Sequence, residues 1–485
     1  MNDIRKLKPE PLWNYFHDIT RIPHPSKKET MLVEYIREFG KKNNLETVVD
    51  ETGNVVIRKP ATKGLEKLKG VILQAHLDMV PQKNSNKKHD FEKDPIDTII
   101  DGDWVKADGT TLGSDNGIGV AAALTILASD SIAHGPLEVL LAIDEETGMT
   151  GAFGLTKGFL IGDILINLDS EDEGELYVGC AGGIDISVGK DYAEEKSPKG
   201  MTAFRVVVKG LRGGHSGIDI ALGRANSNKI MSRFLMQAES DFGIRVADIA
   251  GGDLRNAIPR ESHSLIVVPE IKAAEFRKFV EEYEKMYRAE FADTEPDLSF
   301  TAEEAEIPDK VMNQGDQYRI IRALFASPNG VQRMSQAMKG LVETSNNLAI
   351  VKCANGKFEA SNLTRSSVDS AKEATAWKIA AVFHLIGADV KMPGSYPGWK
   401  PDMDSPILKT MSGVYENMYG KIPEVKAIHA GLECGIIGGV YKNLDMISFG
   451  PTIRHPHSPD EKVNIPTVVK FFDFLCETLK NVPEA

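Results

Sequence analysis

Cysteine is scarce: there are four in 485 residues, Cys180, Cys353, Cys434 and Cys476, and they lie far apart. That spacing fits neither a disulfide framework nor a zinc knuckle, so the four read as buried thiols. Long apolar runs are missing too. The longest, around 120–128, is too short to span a bilayer, and the amino-terminal stretch has no signal-like apolar segment. No membrane association and a cytoplasmic address are therefore expected. Nor is there any block of Lys and Arg, or any interleaving of basic with aromatic residues. With 57 basic against 70 acidic side chains and a formal net charge of −13, a nucleic-acid surface is not expected.

What the chain does have is an acidic triplet in an unexpected place. The run Leu137-Glu138-Val139-Leu140-Leu141-Ala142-Ile143 reads as a buried strand, and Asp144-Glu145-Glu146-Thr147-Gly148 follows it directly. Three adjacent carboxylates where a central strand leaves its sheet repel one another and are costly to desolvate unless a cation is present.

The length suits two or three domains. Residues 9–43 read as two helices broken at Pro23-His24-Pro25-Ser26, with Ser26 as N-cap of the second. Strands are expected at 46–49, 54–58 and 71–75, the last ending in His76-Leu77-Asp78. The polar stretch 81–110 reads as an irregular surface excursion. It leads to Gly113-Ser114-Asp115-Asn116-Gly117 and an alanine-rich buried helix, which places Asp115 in the turn before a helix N-terminus. A strand at 163–168 is terminated by Asp169. Strands alternating with helices indicate an α/β domain, and such sheets place ligands beyond the carboxyl ends of their strands.

After residue 183 the texture changes to strands with long amphipathic helices, in what reads as two tandem α+β units. The segment 392–401, rich in Pro and Gly, reads as a linker, and α/β texture resumes beyond it. The expected organisation is a catalytic domain of residues 1–183 and 398–485, interrupted by an inserted α+β domain of residues 184–397.

His76, Asp115, Glu146, Asp169 and His457 are the candidate metal ligands. Two imidazoles and three carboxylates suit zinc, and also manganese or cobalt. Five protein ligands exceed what one tetrahedral ion takes, so two metals bridged by one carboxylate fit better.

These stretches, in this order, together with Gly213-Gly214-His215-Ser216-Gly217, Arg255-Asn256-Ala257-Ile258-Pro259 and Pro456-His457-Ser458-Pro459-Asp460-Glu461, resemble the M20 family of two-zinc peptidases and amidohydrolases, and within it the aminoacyl-histidine dipeptidases. The resemblance covers essentially the whole chain, and no metal ligand is missing. It implies a zinc-peptidase-like catalytic domain, with helices layered around a mostly parallel sheet and an inserted lid. It also implies that Asp115 bridges two Zn2+ ions, with His76 and Asp169 completing one site and Glu146 and His457 the other, and that the Asp115–Asn116 peptide is cis. Glu145 matches the general base, which takes a proton from the metal-bridging water and returns it to the leaving amine. Asp78 matches the carboxylate that fixes the His76 tautomer, and His215 the lid donor to the oxyanion.

Arg365 is a candidate for the substrate carboxylate, or else an exposed strand residue. Asn256 is a candidate for the same carboxylate or for the oxyanion, and Gly431 with Glu433 for substrate contact or packing. The implied activity is hydrolysis of small dipeptides, with a preference for a C-terminal histidine such as that of β-alanyl-histidine. The alternative is an amidohydrolase acting on N-acyl amino acids. In single-lid relatives the lid histidine comes from a partner subunit; a doubled lid would let His215 act within its own chain, so monomer and homodimer both stay open. A two-metal phosphatase or nuclease is disfavoured by the absence of a basic phosphate-holding cluster.

Overall fold

The computed structural model describes residues 3–485. The chain divides into two units: one comprises residues up to Gly179 with Pro401–Ala427 and Leu432–Ala485, the other Cys180–Lys400 with Ile428–Gly431. The short return at 428–431 carries no sequence signal that it groups with the second unit.

The first unit is built on an eight-stranded sheet. At its centre Leu137–Ala142, Val71–His76, Ile164–Asn167 and Asp445–Ser448 run parallel in that spatial order. The first three are buried along their whole length, which is why they read as continuous apolar runs rather than as alternating strands. Antiparallel neighbours, Val55–Lys59 and Glu46–Val49, extend one edge. The helix Ser114–Ala128 is buried on nearly every side, as its run of small and apolar residues requires.

Two expectations fail here. Ser26 is not an N-cap: the second helix is Thr30–Lys42, its cap position is Glu29, and the Ser26 N–H donates to the Met79 carbonyl instead. The stretch 81–110 is not irregular throughout. Its end forms a hairpin, Thr98–Asp101 with Trp104–Ala107, which joins Lys462–Asn464 and Ile453–Arg454 in a four-stranded sheet. Four-residue strands in a polar setting give too short an alternation to detect, and the strand that pairs them lies some 350 residues away in sequence.

In the second unit both α+β rounds feed one sheet. Arg245–Gly251 of the first pairs with Val342–Ala354 of the second, joining the two rounds edge to edge. Helices Ser227–Phe242, Ala273–Glu290, Gln314–Ala326 and Asp369–His384 contribute Phe234, Phe276, Ile321 and Ile379 to a single core against that sheet. The Pro- and Gly-rich segment 392–401 is hydrogen-bonded to the chain's entry into this unit, through Cys180 with Trp399 and Gly183 with Tyr396.

Candidate active site

Register explains why distant residues meet. Val71 lies opposite Leu137 on one side and Ile164 on the other, so His76 is level with Ala142 and Gln74 with Asn167, and the chain beyond each strand emerges at the same edge. His76 is the last residue of its strand, the acidic triplet begins two residues past Ala142, and Asp169 stands two residues past Asn167. Asp115 joins them from the start of the buried helix, where the Asp115–Asn116 peptide is cis. His457 comes from the loop between the short strands Ile453–Arg454 and Lys462–Asn464, in a left-handed conformation with φ 59°.

The donors divide around Asp115. Its Oδ1 is 3.2 Å from His76 Nε2, which is also 3.3 Å from Asp169 Oδ1. Its Oδ2 is 3.3 Å from His457 Nε2, which is also 2.9 Å from Glu146 Oε2. His76, Asp115 and Glu146 each place one donor atom within 4.8 Å of the others, a trio that draws on both groups.

Such an arrangement fits divalent cations. The His76 Nδ1 lies 3.0 Å from the Asp78 carbonyl, so in the neutral ring that nitrogen carries the proton and donates it there. The Nε2 lone pair then faces two carboxylates, which only a second proton or a cation makes favourable. Glu146 Oε1 and Asp169 Oδ1 are buried without a hydrogen bond. Burial would push His76 down, but Asp169 and Asp115 outweigh it and hold it well above its ordinary value. Burial raises Asp169 to about 7 and pushes Glu145 well up, against the pull of His76 and with Asp169, Glu433 and Glu146 adding to the rise.

A pH dependence is expected of the metal-free protein. His457 is raised from 6.5 to about 11 by its hydrogen bonds to Asp115 and then Glu146. It thus gives the metal-free protein stability that is complete below pH 6.5 and lost as pH rises toward 11. Asp169, raised from 3.8 to about 7, costs stability as pH rises through that window. Both signs agree, whereas metal affinity grows as the ligands deprotonate. The gap in melting temperature between zinc-loaded and chelated protein, read by calorimetry, is therefore expected to widen from about pH 6 to about pH 8; a narrowing gap would contradict the assignment.

Around the donors stand residues that hold them. Asp78 does so with two groups: His76 Nδ1 lies 3.0 Å from its carbonyl and 3.4 Å from its carboxylate. That carboxylate accepts the N–H groups of Glu145 at 2.9 Å and Glu146 at 3.1 Å, fixing the turn that presents both acids. Asp144, with φ 52°, accepts the hydroxyls of Thr147 and Thr150, and its own N–H donates to Glu29.

Glu461, quoted in a motif but given no role from sequence, is 2 % exposed. It accepts the N–H groups of Leu112, Gly113, Ser114 and Asp115 and the Ser114 hydroxyl. It thereby shapes the turn that carries Asp115, while Asn116 Nδ2 ties the helix to the Leu168 carbonyl. Glu461→Gln sets an amide NH2 against those donors and is expected to cost about 1–3 kcal/mol, seen as a lower denaturation midpoint; an unchanged midpoint would remove Glu461 from this role. Glu433, also buried, accepts from Gln74, and burial raises it to about 8.

The second unit gathers the other candidates. His215 forms a two-residue bridge in which it lies opposite Ala257, so Asn256, exposed, stands beside it, and the Asn256 carbonyl accepts the Ser216 N–H at 2.8 Å. His215 Nδ1 accepts the N–H groups of Gly217 and Ile218, which places its proton on Nε2. Arg365, on Lys357–Ser366, is 6 % exposed rather than a surface residue. Among the described residues it has no carboxylate partner; Nη1 donates to the Tyr396 hydroxyl at 3.1 Å, Nη2 is 3.5 Å from His215 Nε2, and Nε is unpartnered. Gly431 lies against the Tyr396 ring. His429, held by Ser345 at 2.8 Å, is kept neutral by burial, then by Arg365 and His215, with its value lowered to about 3. Sequence reasoning missed Tyr396 and His429. Tyr396 sat in a stretch read as linker, and His429 had no motif of its own.

Comparison with known proteins agrees with the geometry. A model of peptidase family M20/M25/M40 matches residues 72–481. The chain is 46% identical over 483 residues to the cytosol non-specific dipeptidase of Escherichia coli (strain K12), covering 100% of both. It superposes on the aminoacylhistidine dipeptidase of Vibrio alginolyticus with a TM-score of 0.96 and 48% identity, over 99% of this chain and 98% of that one. The aminopeptidase PepT of Bacillus cereus shares the fold alone, with a TM-score of 0.57 and 15% identity over 98% and 99% of the chains.

Proposed function

We infer the function from one premise: the chain belongs to peptidase family M20/M25/M40. It is a metal-dependent hydrolase of peptide bonds, a dipeptidase. The observation that carries the detailed reading is the two-way division of donors around Asp115. His76 and Asp169 would hold one divalent cation and His457 and Glu146 a second, with Asp115 shared; the mixed imidazole and carboxylate set favours zinc, with manganese or cobalt as substitutes. When bound, such a pair supplies polarisation of the scissile carbonyl and a lowered pKa for the attacking water.

Glu145 does the proton work. It neighbours the ligand Glu146, its backbone is fixed by Asp78, and burial makes its carboxylate a stronger base than an exposed one. It takes a proton from the attacking water and passes it to the leaving amine. His215, with its proton on Nε2, is the donor for the oxyanion. Arg365 takes the free carboxylate of the dipeptide, with Asn256 as a further polar contact.

Dipeptides ending in histidine, such as β-alanyl-histidine, are the proposed preferred substrates, in keeping with what the Vibrio alginolyticus relative is named for. A cytoplasmic address accords with the name of the Escherichia coli relative; among the described residues no helix is long and apolar enough to cross a membrane. Zinc-loaded protein given dipeptides, tripeptides and N-acyl amino acids should hydrolyse the dipeptides. Turnover of the N-acyl compounds alone would replace this reading with an amidohydrolase.

A further inference from the structure

Tyr396 is anchored unusually firmly for a residue in a Pro- and Gly-rich segment. Its N–H donates to the Gly183 carbonyl at 2.9 Å, and its own carbonyl accepts the Gly183 N–H at 3.2 Å. The same carbonyl accepts the ammonium of Lys372, a buried lysine that also pairs with Asp369. Its ring fills the space above two glycines: a Cβ at Gly183 would come within 2.7 Å of the ring, and one at Gly431 within 3.2 Å. Backbone and ring are both fixed, so the hydroxyl occupies a defined point, and that point receives Arg365 Nη1 at 3.1 Å.

Among the described residues the guanidinium so held has no counter-charge. Its Nε is unpartnered, its Nη2 faces His215 Nε2 at 3.5 Å, and that imidazole nitrogen is itself a donor because Nδ1 accepts the Gly217 and Ile218 N–H groups. Apart from the Tyr396 hydroxyl these converging donors meet no acceptor; such a setting calls for an anion with two oxygens, and a planar carboxylate matches the guanidinium fork. A long side chain bearing such a fork loses rotamer freedom on binding unless something fixes it beforehand. Among the described residues no carboxylate holds it; Tyr396 does.

We propose that Tyr396 is a positioning residue for carboxylate recognition, presetting the Arg365 guanidinium so that a ligand with a free carboxylate is preferred over its amide. This rests on the dipeptidase reading, which supplies the carboxylate. Asn256 and His215 lie outside the role assigned to Tyr396, which acts through Arg365 alone.

Tyr396→Phe retains the ring over Gly183 and Gly431 and removes only the hydroxyl. In zinc-loaded protein, KM for β-alanyl-histidine is expected to rise about tenfold on loss of this hydrogen bond, with kcat within about twofold. KM for the C-terminal amide should stay within about twofold, since an amide does not use the charged fork. In an Arg365→Lys background the same change should alter KM by less than about twofold, because the group it positions is gone. Equal losses on acid and amide, or a full tenfold effect persisting beside Arg365→Lys, would overturn the proposal.

Calorimetric binding of a reduced-bond β-alanyl-histidine analogue and its amide reads the same preference without turnover. Loss of the acid-over-amide ratio in Tyr396→Phe supports the role, and an unchanged ratio overturns it. Absence of dipeptide turnover in the parent protein would sink the dipeptidase reading, and the calorimetric ratio would then decide the role of Tyr396 by itself.

Discussion

Glu145→Gln is expected to lower kcat by about 10²–10⁴-fold, the range typical of a lost general base, while the metal content of the purified protein stays unchanged. The amide keeps the shape of the side chain and the N–H bonds that Glu145 and Glu146 donate to Asp78, so the turn itself has no reason to move. What it loses is the ability to accept and return a proton. Among the described residues no ion pair joins Glu145 to either imidazole, whereas its neighbour Glu146 lies 2.9 Å from His457 Nε2. Glu146→Gln should therefore show the opposite pattern, with metal content falling and turnover recovering as zinc is added. Kinetics paired with elemental analysis separate the two; loss of metal in both variants would end the division of roles within the triplet.

Asp115→Asn is expected to do more damage than any other single ligand change. Both carboxylate oxygens are engaged, one toward His76 and one toward His457, and an amide offers a single acceptor oxygen. Bound metal should drop from two ions per chain to one or none, with kcat reduced by at least about 10³-fold, since the Lewis acid and the activated nucleophile are lost together. Substituting Asp169 or Glu146 alone touches only one group of donors. If Asp115→Asn retained two ions and lost activity only modestly, Asp115 would not be the shared ligand.

The strand-end donors were legible because their physical signal is local. A buried apolar run followed at once by an acid or an imidazole, as at His76, Glu146 and Asp169, marks the carboxyl edge of a parallel sheet. The cis peptide at Asp115–Asn116 was expected from resemblance alone and is present. The supporting contacts were not legible, because they join residues that sequence keeps apart. Glu461 lies some 346 residues from the turn it shapes, and Tyr396 stood in a stretch whose prolines and glycines suggested a connector. Asp78 was legible as the partner of His76, but that the same carboxylate also clamps the 145–146 turn was not. Ser26 failed as a cap because cap propensity is a weak prior beside a tertiary hydrogen bond, here to Met79.

The central claim is that two metals share Asp115. Anomalous diffraction at the zinc edge from crystals of zinc-loaded protein tests it most directly. Two peaks per chain are predicted, one contacting His76 and Asp169, the other Glu146 and His457, with Asp115 ligating both. A single peak, or two peaks with Asp115 touching only one, would contradict the account.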